Sequence, residues 1–442
     1  MRTQPENVTG LPPTDWRSQL RRVYASDLRR WLVLAPLIGA AAGLLGLGLS
    51  LIILDLLWRP VLAFYLQRPW VMVPGLAAGM LLAGIIMQRW TRDPYEHSTE
   101  EIIAAYHARG GKLDTRPFFA KIAAAIATVG LGGSAAMEGP GIYSGAVAGA
   151  QIWRWFARLH LSARDRRIML VCGAAAGMAA VFRAPLTGTV FALEMPYRDD
   201  LAHDALVPSL IASSVAYAIV ASVEGTAPLF AFHAPAAFSR SDVGWSALIG
   251  LLCGAAAGGF VWLYRRFKHA VERIARPHWL KMTAGGALAG LCGWMFVSLF
   301  PGALVPLGPN YEAAGMILNR SHPAAELLGF AALKLAATTF TLGVGGVSAM
   351  FVPLFVSGGS LGMALGQLLA PGAAPALFAA VGMASFLAAG YKTPLAAVVF
   401  VAEATGGHAL IVPALIGAAV AYLVSGEISI APAQRHNEGA EA

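Results

Sequence analysis

GGSAAMEGPGIYSGA, residues 132–146, returns in altered form as GGVSAMFVPLFVSGG, residues 345–359, with seven of fifteen positions identical at an offset of 213. A second pair follows in the same order. GMAAVFRAPLTGTVFALE (177–194) and GMASFLAAGYKTPLAAVVFVAE (382–403) keep Pro, Leu, Val, Phe and Glu at one spacing from Pro185 to Glu194 and from Pro394 to Glu403. Two motifs repeated in order make the chain a duplication. The period is too long for a solenoid and fits the internal repeats of membrane transporters, in which the halves run in opposite senses. The expected halves are residues 31–224 and 243–425.

Composition sets the medium. Of 442 residues, 57% are hydrophobic and 13% charged, against roughly 25% charged in soluble domains. This predicts an all-α integral membrane protein built from inverted repeats with broken and re-entrant helices. WLVLAPLIGAAAGLLGLGLSLIILDLLW (31–58) and WVMVPGLAAGMLLAGIIMQRW (70–90) are long enough to cross a hydrocarbon core of roughly 30 Å. APLTGTVFALEM and TPLAAVVFVAEA are too short and read as half-helices that stop inside protein. The 49 glycines, with small residues at three- and four-residue spacing as in GAAAGMAA, predict close helix packing.

Residues 1–30 are polar and carry no cleavable signal. Arg17, Arg21, Arg22, Arg29 and Arg30 flank the first span and place that segment in the cytoplasm. The net charge of +8 thus reads as topology, and nucleic-acid binding is the weaker account because the basic residues sit in short loops and form no soluble domain. Cys172, Cys253 and Cys292 are odd in number, lack metal spacing and read as small core residues. The histidines show no metal motif, and no cofactor is implied.

Each repeated motif sets proline at a helix start, where the missing N–H would be unpaired anyway. Four starts result, near Pro140, Pro185, Pro353 and Pro394. Meeting in the membrane, their free N–H groups and positive dipole ends would form an anion site that needs no lysine or arginine. The alternative is that they are ordinary kinks. Glu138 directly precedes one start, and a carboxylate inside a membrane is costly and functional by default. Deprotonated, it would occupy the site as a tethered anion; protonated, it would leave and open the path. The competing reading is a carboxylate that caps its own helix. The other half has Phe351 at this position. Glu194 and Glu403, closing the two short segments, read as structural caps or partners of a loop arginine. Arg183 and Lys392 precede Pro185 and Pro394 by two residues and either tune the pathway or snorkel to water.

At these residues the chain resembles the CLC family of chloride channels and chloride/proton antiporters, over roughly residues 28–432. MEGP (137–140) is similar to the family's G-(K/R)-E-G-P signature, and MFVP (350–353) to the tail of G-x-F-x-P. The resemblance implies a homodimer in the cell's inner membrane, multi-pass with cytoplasmic termini, each subunit holding its own anion pathway. It implies that Glu138 gates and carries protons, and that the backbone at Glu138, Gly139, Pro140, Met350, Phe351 and Val352 holds the anion. The chain departs from the family at several places. EHSTE (96–100) stands where G-S-G-I-P is expected, so His97 or Ser98 falls nearest the coordinating serine. Ala431, in SGEISIAPAQ, falls where the family has a central tyrosine. Met195, after Glu194, falls where many antiporters have an internal glutamate and cannot carry a proton, so Glu194, Asp199, Asp200 or water would have to supply a proton route. Chloride/proton exchange and passive chloride conduction therefore both stay open, as does a preference for fluoride or another anion. A tail of about 17 residues, 426–442, leaves no room for the family's nucleotide-binding CBS pair. Two other classes compete: a membrane enzyme using Glu138 with Ser134 or Ser144, and a cation-coupled carrier of an organic solute.

Overall fold

A computed structural model describes residues 16–156, 161–232, 239–302, 304–370 and 374–436, with side chains from Arg30 onward. The side chains of Arg17, Arg21, Arg22 and Arg29, half of the 1–30 segment and the end of the tail, 437–442, lie outside the described residues.

Among those residues the chain is helical, without strands. Seven helical stretches are long and apolar enough to cross a membrane: Arg30–Gln67, Pro69–Trp90, His203–Glu224, Arg240–Glu272, His278–Leu299, Ala324–Leu342 and Phe351–Leu369. Backbone groups have no water partner in hydrocarbon, so an unbroken helix is the form such apolar runs take. Their outward side chains, among them Leu44, Leu56, Leu251, Trp262, Leu291 and Leu368, are exposed and apolar, which suits contact with lipid tails. The first stretch changes pitch at Leu51–Trp58, a π-helical segment, before continuing to Gln67.

Two helices form the centre. Every residue of Ala163–Phe182 from Ile168 onward is buried, as is every residue of Pro375–Tyr391 from Ala376 onward. A helix that is apolar all round belongs inside a protein. Ser162 and Asp165 start the first of these with a reciprocal cap, and Arg30 pairs with Asp165 at 3.0 Å.

Small residues decide how closely these helices approach their neighbours. A Cβ on Gly173 would lie 2.0 Å from the Gly145 carbonyl oxygen, and one on Gly382 would lie 2.0 Å from that of Gly358. The two contacts join helix Glu138–Trp155 to Ala163–Phe182, and Phe351–Leu369 to Pro375–Tyr391. A backbone carbonyl cannot yield as a flexible side chain can. Gly173→Ala and Gly382→Ala are each expected to cost about 1–3 kcal/mol through forced helix separation, measured as lowered midpoints of thermal unfolding in detergent.

The halves interlock as an inverted pair. Gly132 and Gly345 share φ = +105°, a conformation that demands glycine. After each, the chain closes the same turn: Gly133 N–H donates to Thr128 O at 2.8 Å and Gly346 N–H to Thr341 O at 3.0 Å. The threonine hydroxyls then cross between halves, Thr341 accepting from Ser134 N–H (3.1 Å) and Thr128 from Val347 N–H (3.4 Å). Ala136 N–H donates to Ala349 O at 3.1 Å in an antiparallel bridge between the repeated motifs. Each short helix, Pro185–Glu194 and Pro394–Thr405, presents a carboxylate near its C-terminal end to the N-terminus of the other, which requires the two to run antiparallel. The inversion that the sequence could not prove is explicit here.

Candidate anion site

The four proline-marked starts are real helix starts, at Glu138, Pro185, Phe351 and Pro394, but they do not form one site. An α-helix leaves its first amides without intrahelical partners. At Pro185, the amides of Leu186 and Thr187 donate to the Glu403 carboxylate at 2.9 and 2.7 Å, joined by the Thr187 hydroxyl at 2.6 Å. At Pro394, the amides of Leu395 and Ala396 donate to Glu194 at 3.0 and 2.7 Å. The next amides, Gly188 and Ala397, already bond to Ala184 O and Thr393 O. These two starts are filled by fixed carboxylates, which corrects the expectation that all four receive the anion. Glu194 and Glu403 are structural caps, each reaching across to the opposite half.

The other two starts face each other. Glu138 is 1% exposed, and its Oε1 accepts the Phe351 N–H at 2.7 Å. The carboxylate of one half thus lies on the helix N-terminus of the other. Its second oxygen, Oε2, is buried without a hydrogen-bond partner among the described residues. Phe351, at the equivalent position, instead packs its ring against Phe191 (5.3 Å), Phe400 (5.0 Å) and Phe182 (5.7 Å). One copy of the motif supplies a charge and the other an aromatic wall.

The expected backbone donors divide. Phe351 N–H is held by Glu138, and Met350 N–H donates to the Tyr391 hydroxyl oxygen at 3.1 Å. The amides of Gly139 and Val352 carry no partner among the described residues. Pro140 has no N–H and contributes only the rigid start of its helix.

Two cavities are lined by the expected pathway residues. One, of about 50 Å³, is lined by His97, Ser98, Ser348, Met350, Tyr391 and Ala431, so the residues from the divergent first signature and from the tail do meet. Ser98 is buried in a left-handed conformation (φ = +58°), and its hydroxyl pairs with His97 Nδ1 at 3.2 Å. Ala431 leaves an apolar wall there, while three tyrosines line the cavity, Tyr95, Tyr264 and Tyr391, the last at the end of a different helix. The second cavity, of about 370 Å³, is lined by Asp55, Arg59, Arg183, Glu224, Tyr311 and Glu312. The hydroxyls of Tyr311 and Tyr391 both lie in the electrostatic field of the Glu138 carboxylate.

Arg183 belongs to that second cavity and does not join His97 and Ser98. Its guanidinium donates to Glu224 O at 3.3 Å, at the end of helix Leu206–Glu224. Lys392 mirrors it, donating to Tyr422 O at 3.2 Å and to the Ser425 hydroxyl at 2.6 Å, at the end of Ile411–Val424. Both residues are left-handed, φ +51° and +58°, and both set a cation at the negative end of the helix that comes after the short one, Leu206–Glu224 and Ile411–Val424. Met195 is 1% exposed, and its carbonyl accepts from Gln434 Nε2 at 3.2 Å. Beyond the membrane-spanning segments, Asp199 pairs with His436 at 2.9 Å and raises that imidazole above its usual range, which ties the tail to the loop after Met195.

Ser134 pairs with Thr338 at 2.9 Å, and Ser144 donates to Pro140 O at 2.7 Å. Neither hydroxyl bonds to Glu138, so the serine–carboxylate pair required by the enzyme reading is not assembled. Sequence reasoning missed Tyr311, Tyr391 and Lys334. Lys334 was visible as a lone lysine in the apolar run AALKLAATTF; the tyrosines carried no such mark, because their placement depends on helix ends meeting across the repeat.

A family model described as voltage gated chloride channel matches residues 79–426. A putative chloride channel protein, ClcB-like, from Ralstonia nicotianae is 26% identical over 415 residues, covering 89% of this chain and 93% of that protein. The voltage-gated ClC-type chloride channel ClcB of Citrobacter koseri is 26% identical over 413 residues, covering 90% and 96%. Among solved structures, a CLC-type fluoride/proton antiporter superposes with TM-score 0.79 at 23% identity, covering 93% of this chain and 99% of that one. A slow cyanobacterial chloride/proton antiporter gives 0.77 at 23% identity, covering 90% and 94%. With most of its length matched by the family model, its repeats inverted and its helix starts paired about a carboxylate, the chain belongs to the voltage-gated chloride channel (CLC) family.

Proposed function

We propose that the protein carries chloride across the membrane along a path through Glu138, which acts as a proton-operated gate. The observation that carries this reading is the 2.7 Å hydrogen bond from the Phe351 amide to Glu138 Oε1. A carboxylate oxygen already sits where a small anion would find a helix N-terminus, so anion and side chain compete for one place. Protonation removes the charge that holds the side chain there. Partial charges then bind the anion without trapping it.

The second reading is stoichiometric chloride/proton exchange, favoured by the fold shared with two proton-coupled antiporters. Two observations favour uncoupled conduction instead: both oxygens of Glu194 are committed to backbone amides, and the residue after it is the apolar Met195. Reconstitution in liposomes with a chloride gradient, recording chloride and pH together, separates the two. Well-folded protein without anion flux refutes the chloride reading. Uphill proton movement driven by chloride establishes exchange, and chloride flux without it establishes conduction. Selectivity against fluoride is read in the same assay.

The family resemblance also implies a homodimer in the inner membrane with both termini cytoplasmic, which we propose for this chain. Crosslinking in membranes, and labelling of single cysteines introduced into the N-terminal segment and the tail, test this assembly and orientation.

A further inference from the structure

Lys334 is 0% exposed in the middle of helix Ala324–Leu342. Its ammonium donates to Gly308 O at 2.9 Å and to the Asn310 side-chain oxygen, both neutral acceptors. Among the described residues no carboxylate lies within salt-bridge distance of it. The same helix face continues with Thr338 and Thr341, which bond to Ser134 in the segment leading to Glu138. Gly308 itself donates to Gly132 O at 2.9 Å. The ammonium is thereby held behind the 132–138 segment, and its charge and that of Glu138 act on each other. The titratable groups facing Glu138 are Lys334 and the hydroxyls of Tyr311 and Tyr391, of which Lys334 alone brings a charge.

A buried ammonium with neutral partners is costly and needs a negative charge nearby. Two groups can supply it here, the Glu138 carboxylate or an anion in the place that carboxylate vacates. We propose that Lys334 is the fixed counter-charge of the pathway and makes protonation of Glu138 and arrival of an anion interdependent. The proposal rests on the reading of Glu138 as the gate. When a proton neutralises the carboxylate, the ammonium loses its compensation and draws an anion in; when the anion leaves, the same field favours the return of a charged carboxylate. The coupling is reciprocal, as any linkage between two sites must be. It also amends the view that partial charges alone make this site, since a full cation lies one layer behind them, where it attracts an anion without touching it.

A purely structural account is available, in which Lys334 only anchors the Gly308–Asn310 turn. Lys334→Gln separates the two accounts because it keeps a donor and removes the charge, while Asn310→Ala removes the anchor and keeps the charge. Chloride flux against pH in liposomes, and chloride binding by calorimetry on purified protein, are the readouts. Lys334→Gln is expected to raise the pH of half-maximal flux by about one unit and to weaken chloride binding about tenfold, the scale of a single partly buried charge. Lys334→Arg is expected to restore the wild-type midpoint, and Asn310→Ala to leave it in place. In a Glu138→Gln background the pH shift disappears while the loss of chloride binding stays. A wild-type midpoint and affinity in Lys334→Gln overturn the proposal, as does an Asn310→Ala protein with the midpoint shift assigned to charge loss. If Lys334→Gln does not fold, a shifted midpoint in Asn310→Ala overturns the proposal and an unchanged one supports it. Glu138→Gln with an unaltered pH profile sinks the gate reading itself, whatever the lysine variants do.

Discussion

Glu138→Gln protein is expected to pass chloride at a rate that no longer depends on pH, at or above the wild-type rate at acidic pH. The glutamine can still offer an oxygen to the Phe351 amide, but a neutral acceptor is held about half as strongly as a charged one. A difference of about 1–2 kcal/mol corresponds to roughly a five- to thirtyfold rise in flux at alkaline pH, where the wild-type carboxylate is charged and in place. The sign follows from what each state offers. Raising the pH charges the wild-type side chain and closes the site, whereas the amide has no proton to lose. Chloride efflux from liposomes between pH 5 and 8 measures this, and a mutant profile that tracks the wild type would refute it.

Glu194→Ala is expected to produce the largest loss of stability among single substitutions at the crossed short helices. It leaves the amides of Leu395 and Ala396 without acceptors, and each buried orphan costs about 1–3 kcal/mol. The Ala396 contact is buried, whereas the Glu403 contact with Leu186 on the other side is exposed. Water can replace Glu403 in part, so Glu403→Ala is expected to cost less than Glu194→Ala. Thermal unfolding in detergent orders the variants. Glu194→Gln, which keeps one acceptor oxygen, falls between wild type and alanine. Equal losses for Glu194→Ala and Glu403→Ala would contradict the asymmetry.

The two carboxylate pairs show why sequence reasoning located the right residues and still grouped them wrongly. Proline and glycine mark a helix start locally, because they act through φ and a missing N–H, and such marks survive in one dimension. What fills the start is decided by whatever arrives from the far half. Pro185 and Pro394 carry the same local mark as Pro140 and Pro353, but a carboxylate nine residues along the opposite short helix reaches only the first two. The same limit hid Tyr391. Ala431 was aligned to a tyrosine position in the tail, while the tyrosine hydroxyl that meets the Met350 amide at that cavity comes from a helix end some forty residues earlier. By position Arg183 and Lys392 could tune the pathway or snorkel to water, and in the structure each donates to a carbonyl at a helix C-terminus.

By itself the sequence determined the medium, the duplication, the four helix starts and the carboxylate at Glu138, since each follows from composition, spacing or the local chemistry of proline and glycine. The tertiary structure alone decided that the halves are inverted, that two starts are sealed by Glu194 and Glu403, that Glu138 lies on the Phe351 amide, and that Lys334 stands behind it. Those are contacts between residues roughly 200 positions apart, and hydrogen bonds and fields depend on distance in space, which one-dimensional spacing does not contain.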